Sequence, residues 1–191
     1  MKIKNKIKLS LPTVLSLVLL FIFTDRVALT AVITATLLHE LGHIAMALLL
    51  RIKISCFSAD LLGARLDTGH TVLSYSDEIL LSASGPFINI LSVISFHRIA
   101  LPFFEHFVTA SLGLALLNLL PIESFDGGRI LYCTLSSFFG SSKAAPVLRV
   151  LSFLCLFMLW CISVYFLIRA SDSLSLFFFS VSLFNRLFLL K

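Results

Sequence analysis

Charged residues are scarce in this sequence, and no stretch is both long enough and polar enough to form a separate soluble domain. Only 13% of the 191 residues are charged, whereas 59% are hydrophobic and 19 are Phe. Together with a mean hydropathy of +1.04, this composition excludes an ordinary soluble globular protein. We therefore expect an all-α polytopic membrane protein in which residues 1–191 form a single membrane-embedded domain.

The sequence also lacks paired cysteines and a signal-peptide cleavage site. Its four cysteines show no paired spacing, which argues against a disulfide framework and indicates reduced packing residues: Cys56, Cys133, Cys155 and Cys161. A Lys-rich start leads into an apolar run over residues 9–24, as in a signal peptide. This run ends at Asp25-Arg26 without an Ala-x-Ala site, so we interpret it as an uncleaved first span.

The apolar runs that follow predict five further transmembrane helices, about six in all. They cover residues 27–50, about 77–96, 101–120, 146–168 and 173–190. Polar and apolar residues alternate over 52–75, which predicts a small β-hairpin at the membrane surface, with an irregular loop as the alternative. Pro121 and the pair Gly127-Gly128 predict an unwound backbone after the fourth span. A short amphipathic piece and a linker over 136–145 would then lead to the fifth span.

The positions of the basic residues predict the orientation. If the N-terminus is cytoplasmic and there are six spans, 12 of the 15 Lys and Arg residues lie at cytoplasmic ends, and only Arg26, Arg98 and Arg169 lie on the other side. This bias places both termini in the cytoplasm, and we expect a bacterial cytoplasmic membrane as the location. Because the basic residues flank apolar spans, the net charge of +5 indicates contact with a lipid bilayer and not with nucleic acid.

The second predicted span carries the motif His39-Glu40-Leu41-Gly42-His43. Residues i and i+4 of a helix share a face, so both imidazoles can reach one metal ion. Neutral imidazole is a preferred zinc ligand, and a carboxylate beside a zinc-bound water can take its proton. A chance His-Glu-x-x-His is the alternative, but ionisable groups within a lipid-embedded helix are costly unless they have a function. The motif therefore predicts a hydrolytic site with one Zn²⁺ per chain.

A catalytic zinc ion usually has three protein ligands, so a third is needed. Of the ten acidic residues, most lie at outer helix ends or in the surface segment, which leaves Glu123 and Asp126. We prefer Asp126, because the neighbouring Gly127 allows the backbone to approach closely and turn.

These motifs together resemble the site-2 protease family of intramembrane zinc metalloproteases. The His motif is followed, in the order typical of that family, by Gly85-Pro86-x-x-Asn89, Asn118-x-x-Pro121 and Phe125-Asp126-Gly127-Gly128. The resemblance covers roughly residues 27–130, the expected catalytic core. The six-span layout is most similar to the sporulation branch, whose known member processes a membrane-tethered sigma-factor precursor. The C-terminal nucleotide-sensing domain of that branch is not expected in this chain.

The resemblance implies roles for individual residues. His39, His43 and Asp126 would bind zinc, and Glu40 would be the general base and later the proton donor. Four more residues would contact substrate. Asn118 would lie near the metal and position the substrate backbone or the developing oxyanion, whereas Asn89, Gly85 and Pro86 would line the substrate path. An amide hydrogen bond that simply bridges helices is the alternative for Asn118.

The expected function is therefore zinc-dependent cleavage of a membrane-spanning or membrane-tethered protein substrate, with a membrane regulatory partner as a further expectation. A non-proteolytic zinc-binding regulator or adaptor is one alternative, and Glu40 argues against it because pure binding needs no base. A metal or proton transporter is another. Transporters place ionisable groups along the whole membrane depth, whereas here they gather at one level.

Overall fold

The computed structural model describes residues 25–52, 56–60, 63–67, 73–169 and Phe184. In this part of the chain the elements follow in the order α1 (Arg26–Leu49), β1 (Cys56–Asp60), β2 (Gly63–Asp67), α2 (Tyr75–Phe96), α3 (Pro102–Asn118), α4 (Asp126–Phe139) and α5 (Ser141–Arg169). They belong to two compact units, residues 1–119 and 120–191. The predicted spans over 9–24 and 173–190 lie outside the described residues.

Helix α1 presents a narrow buried stripe of mostly small residues. Its N-terminus is capped by Asp25, whose side chain accepts hydrogen bonds from the backbone N–H groups of Val27 and Ala28 at 3.1 and 3.4 Å. The buried residues recur at helical spacing and are Ala31, Ala35, His39, Gly42, His43 and Ala47. Small side chains on this stripe let neighbouring helices approach closely, and the two histidines share that face.

Helices α1 and α2 come into close contact at Gly42. A Cβ atom built on Gly42 would lie 2.7 Å from the backbone oxygen of Ser84 and 3.1 Å from the Cα atom of Gly85. A larger residue would therefore have to push the two helices apart. This contact sets the buried residues of α2 directly beside the histidine motif.

Helix α3 closes the first unit with an aromatic cluster. Phe107 packs with Ala31 and Ala35 of α1, one to two turns before His39. Its ring also lies 5.8 Å from the ring of Phe96 and 6.0 Å from that of Phe103, measured between centroids. Aromatic pairs at these separations add to the stabilisation from burial. This aromatic cluster packs α3 against the part of α1 that precedes the histidine motif.

Strands β1 and β2 lie within the segment for which a hairpin was predicted. They pair antiparallel, with Cys56 opposite Asp67 and Asp60 opposite Gly63. Their location at a membrane surface stays a prediction.

The second unit contains α4 and α5, separated by Gly140 alone. Gly140 has a φ of 82°, a region that glycine adopts without steric cost. The predicted linker over 136–145 is wrong, because α4 continues to Phe139 and α5 begins at Ser141. The segment 119–125 is not helical, as predicted, but Gly127 and Gly128 belong to the first turn of α4.

Within the described part of the chain, three helices are long and apolar enough to cross a membrane. They are α1, α2 and residues Ser141–Tyr165 of α5, and they indicate a membrane protein. Helix α3 has 17 residues and extends about 26 Å, less than the roughly 30 Å hydrocarbon core of a bilayer. The described residues therefore do not confirm a full span over 101–120 or a total of six spans.

Candidate metal centre

His39 and His43 lie on the buried stripe of α1, one helical turn apart. Their side chains are 5% and 8% exposed, and their ring centroids are 4.8 Å apart. Glu40, one position further along the helix, is half-buried. The i, i+4 spacing of the two histidines therefore brings their imidazoles together, as predicted.

The ring of His43 is oriented by the backbone of helix α2. Its Nδ1 atom lies 2.8 Å from the carbonyl oxygen of Leu81 and 3.3 Å from Oγ of Ser84. A carbonyl oxygen can only accept a hydrogen bond, so Nδ1 carries the proton and donates it. In the neutral imidazole the lone pair is then on Nε2, the nitrogen that faces His39. This is the arrangement of a metal-binding histidine whose other nitrogen is held by a carbonyl group.

The ring of His39 is contacted by Asn89 of helix α2. The Nδ2 atom of Asn89 lies 3.2 Å from Nδ1 of His39, and the Asn89 side chain is fully buried. Asn89 was expected to line the substrate path. Its amide contacts a predicted metal ligand, which was not anticipated, and its role on the substrate path stays a prediction.

The two facing nitrogens fit two ligand positions of a zinc ion. Nε2 of His39 and Nε2 of His43 are 3.2 Å apart. Two nitrogens bound at about 2.0–2.1 Å to a tetrahedral zinc ion are about 3.3 Å from each other. The pair therefore matches the geometry that zinc requires without further movement of the rings.

Gly85 keeps the space beside these nitrogens open. A Cβ atom on Gly85 would collide with Nε2 of His43 and would lie 2.8 Å from Nε2 of His39. The following residue, Pro86, is fully buried within α2. Gly85 was expected to contact substrate, and the structure shows a more specific need for glycine here: any side chain would occupy the space next to both imidazoles.

In the second unit, Asp126 begins helix α4. Its side chain is half-buried, and its Oδ2 atom is fully buried. The first turn of α4 lies close to the backbone that precedes it. A Cβ atom on Gly128 would collide with the carbonyl oxygen of Ile122. Close approach was predicted for Gly127, and the structure shows this contact at Gly128.

Ser152 of α5 holds the non-helical segment that precedes Asp126. Its Oγ atom accepts a hydrogen bond from the backbone N–H of Glu123 at 2.9 Å and donates one to the carbonyl oxygen of Pro121 at 3.3 Å. Ser152 is 1% exposed. No sequence motif pointed to this residue, because a serine within an apolar helix carries no sign of which distant backbone it contacts.

Asn118 is the last residue of α3. Its side chain is half-buried, and Nδ2 donates to the carbonyl oxygen of Leu114 at 3.0 Å. This bond lies within its own helix, so Asn118 does not use it to bridge helices.

Comparisons with known proteins find similarity to a peptidase family. Residues 82–162 match the model of peptidase family M50, a family of zinc metalloproteases. The matched segment includes Asn89, Asn118 and Asp126 and begins after the His39–His43 motif. The match to this family model supports a metallopeptidase.

The fold is similar to that of the site-2 protease from Methanocaldococcus jannaschii. The TM-score is 0.65 at 22% sequence identity, and the alignment covers 95% of this chain and 92% of that chain. A comparison with curated proteins finds none that matches. The similarity to the solved structure is one of fold, and it agrees with the family match.

Proposed function

We propose that the chain is an intramembrane zinc endopeptidase that cleaves a membrane-spanning or membrane-tethered protein. The observation that carries this proposal is the pair of Nε2 atoms on α1, 3.2 Å apart, in a motif in which Glu40 directly follows His39. Pure metal binding needs ligands but no base, whereas hydrolysis needs both.

Asp126 is the proposed third ligand. His39 and His43 supply two nitrogens, and Asp126 is the carboxylate that the sequence leaves as the preferred third ligand. Two imidazoles and one carboxylate are a ligand set found in catalytic zinc sites, where the fourth position stays open. The fixed backbone before Asp126 supports this role, since a ligand is effective when its position is set in advance.

The chemistry divides between the metal and the side chains. A bound zinc ion supplies Lewis acidity for the hydrolysis of a peptide bond. Glu40 takes a proton from the attacking water and later gives it to the leaving amine. Asn118 would stabilise the negative charge that develops on the scissile carbonyl oxygen. Its Nδ2 atom has two hydrogens, and the bond to Leu114 uses only one of them.

The substrate would have to be extended at the cleaved bond, because a peptide bond within a helix is shielded. Each strand of the pair β1 and β2 has an edge that does not face the other strand, and such an edge can pair with an extended peptide. Gly85, Pro86 and Asn89 would lie along the path by which that peptide reaches the histidines.

Residues 1–191 would form one membrane-embedded domain with a catalytic core over 27–130. The basic residues favour an orientation with both termini in the cytoplasm, and the resemblance to the sporulation branch favours a bacterial cytoplasmic membrane. The resemblance to the sporulation branch makes a membrane-tethered transcription-factor precursor the first substrate class to test. A membrane regulatory partner could control access to the site.

The test is cleavage of a co-expressed single-span substrate by variants of Glu40. Glu40→Gln should retain bound zinc but lower cleavage at least about 100-fold, the contribution of a positioned general base. Glu105→Gln, which changes an exposed carboxylate in the first turn of α3, is the matched control and should cleave normally. His39→Ala should lose the zinc itself. Normal cleavage by Glu40→Gln, or zinc without cleavage in the unmodified chain, would contradict the proposal and favour a non-proteolytic zinc protein.

A further inference from the structure

The corner between α4 and α5, residues 138–143, carries an exposed aromatic pair. Phe138 is 78% exposed and Phe139 is 62% exposed, and their ring centroids are 6.4 Å apart. The two rings therefore form one aromatic patch at the C-terminal end of α4. Apolar surface of this extent is unfavourable in water, so the patch favours a less polar environment.

Gly140 joins the aromatic patch directly to α5. Its N–H donates to the carbonyl oxygen of Ser136 at 3.0 Å, and its own carbonyl oxygen accepts from the N–H of Ala144 at 3.1 Å. One residue thus satisfies backbone groups at the end of α4 and at the start of α5. Its positive φ lets the chain turn without a loop. The position of the patch therefore follows from the position of α5.

The start of α5 sets the depth of the corner in a bilayer. Residues Ser141–Tyr165 are a candidate membrane span of 25 residues, about 38 Å long, whereas the hydrocarbon core is roughly 30 Å thick. The span begins with the polar residues Ser141, Ser142 and Lys143, so the excess length belongs at this end. An α5 that crosses the bilayer therefore has the corner at the boundary between headgroups and acyl chains.

The charge near the corner has one sign. Lys143 and Arg149 are both exposed, and the sequence contains no Asp or Glu from residue 127 to residue 171. Side chains lean toward the N-terminus of their helix, so both cations extend toward Gly140, and Arg149 can reach the headgroups by snorkelling. The phosphate groups of anionic lipids lie at this depth and have the complementary charge. They are abundant in the cytoplasmic leaflet, the side on which this end of α5 is predicted to lie.

We propose that the α4–α5 corner anchors the chain in the bilayer interface and prefers anionic phospholipid. Phe138 and Phe139 insert between the upper parts of the acyl chains, and Lys143 and Arg149 bind lipid phosphate. An apolar patch alone would also fit a second copy of the chain, but adjacent cations at the polar start of a span favour a lipid surface. The proposal is independent of the zinc site, to which none of these four residues belongs.

The depth of the patch is measured by fluorescence quenching in vesicles that contain brominated lipids. Phe139→Trp is introduced into the full chain together with Trp160→Phe, which removes its single Trp. The fluorescence should be quenched most by phosphatidylcholine that is brominated near the headgroup. Phe157→Trp in the same background is the matched control, because Phe157 is 52% exposed and lies toward the middle of the span. Bromine near the chain ends should quench this control most.

The headgroup preference is measured with the same Phe139→Trp chain, in mixed vesicles of phosphatidylcholine and phosphatidylglycerol. Brominated phosphatidylglycerol should quench more than an equal amount of brominated phosphatidylcholine. Lys143→Gln combined with Arg149→Gln should lower this preference by up to about five-fold for each charge removed, and added salt should lower it as well. Arg98→Gln removes an exposed cation beside the C-terminal end of α2. It is the matched control and should leave the preference unchanged.

Three results would overturn the proposal. If no brominated lipid quenches the Phe139→Trp chain, protein or water covers the patch. If bromine near the chain ends quenches it most, the patch lies within the hydrocarbon core. If both headgroups quench equally, or the double Gln variant keeps the preference, Lys143 and Arg149 do not bind anionic lipid. Phe138→Trp reports on the same patch if Phe139→Trp does not fold.

Discussion

Nδ1 of His43 is held by the backbone carbonyl of Leu81 at 2.8 Å, whereas Nδ1 of His39 is held by the side chain of Asn89. The hydrogen-bonding partner of His39 is therefore a side chain, whereas that of His43 is a backbone group. No side-chain replacement deletes the Leu81 carbonyl, but a single replacement deletes the Asn89 amide. The two histidines should therefore respond differently to mutation of the groups around them.

Ser84→Ala should have little effect on zinc binding. Oγ of Ser84 lies 3.3 Å from Nδ1 of His43 and also donates to the oxygen of Leu81 at 2.6 Å. Because the carbonyl remains in the variant, the loss of zinc affinity should stay below the roughly 10-fold lower limit for loss of an orienting group. Calorimetric titration with zinc measures this directly. A loss of 10-fold or more would show that Ser84, and not the carbonyl, orients His43.

Gly85→Ala should impair zinc binding. The added methyl group would occupy the space beside Nε2 of both histidines, and the stiff interior of a helix bundle gives it no room to move away. We expect zinc affinity to fall by more than about 10-fold, measured by titration on the purified chain.

Gly113→Ala is the matched control for that substitution. A Cβ atom on Gly113 would meet nothing within 4 Å, and alanine favours a helix by about 1 kcal/mol over glycine. Zinc affinity should be unchanged, and the free energy of unfolding should be unchanged or slightly higher. If Gly113→Ala and Gly85→Ala lower the zinc affinity equally, the effect of Gly85→Ala does not come from the space beside the histidines.

Ser152→Ala should loosen the segment that precedes Asp126. The substitution leaves the N–H of Glu123 without its acceptor, which costs about 1 kcal/mol of unfolding free energy. Thermal unfolding in detergent measures the change, and cleavage should fall because the proposed ligand Asp126 follows this segment. Ser137→Ala, which removes an exposed hydroxyl bonded within its own helix, should leave both quantities unaffected. If both variants behave alike, Ser152 does not position this segment.

Local pattern was sufficient to predict the helices that carry the motif. Span 27–50 agrees with α1 within one residue at each end, and the face shared by His39 and His43 follows from helical periodicity alone. Gly140 shows where this reasoning failed. A glycine among serines suggested a ten-residue linker, yet one residue with positive φ is enough to separate two helices.

The groups around the histidines were harder to predict, because they depend on how helices pack. A backbone carbonyl such as that of Leu81 has no signature in the sequence. Asn89 was recognised only as part of a family motif, and its contact with His39 depends on the register of α2 against α1. That register is set by Gly42 and Gly85, whose closeness becomes visible only in three dimensions.

The hydrogen bonds of the two histidines have a consequence for how the bundle assembles. The rings of His39 and His43 on α1 contact Asn89 and the Leu81 carbonyl on α2, so both rings become oriented only when the two helices have packed against each other. A substitution that shifts α2 along α1 should therefore disturb both imidazoles together, however far it lies from the motif in the sequence.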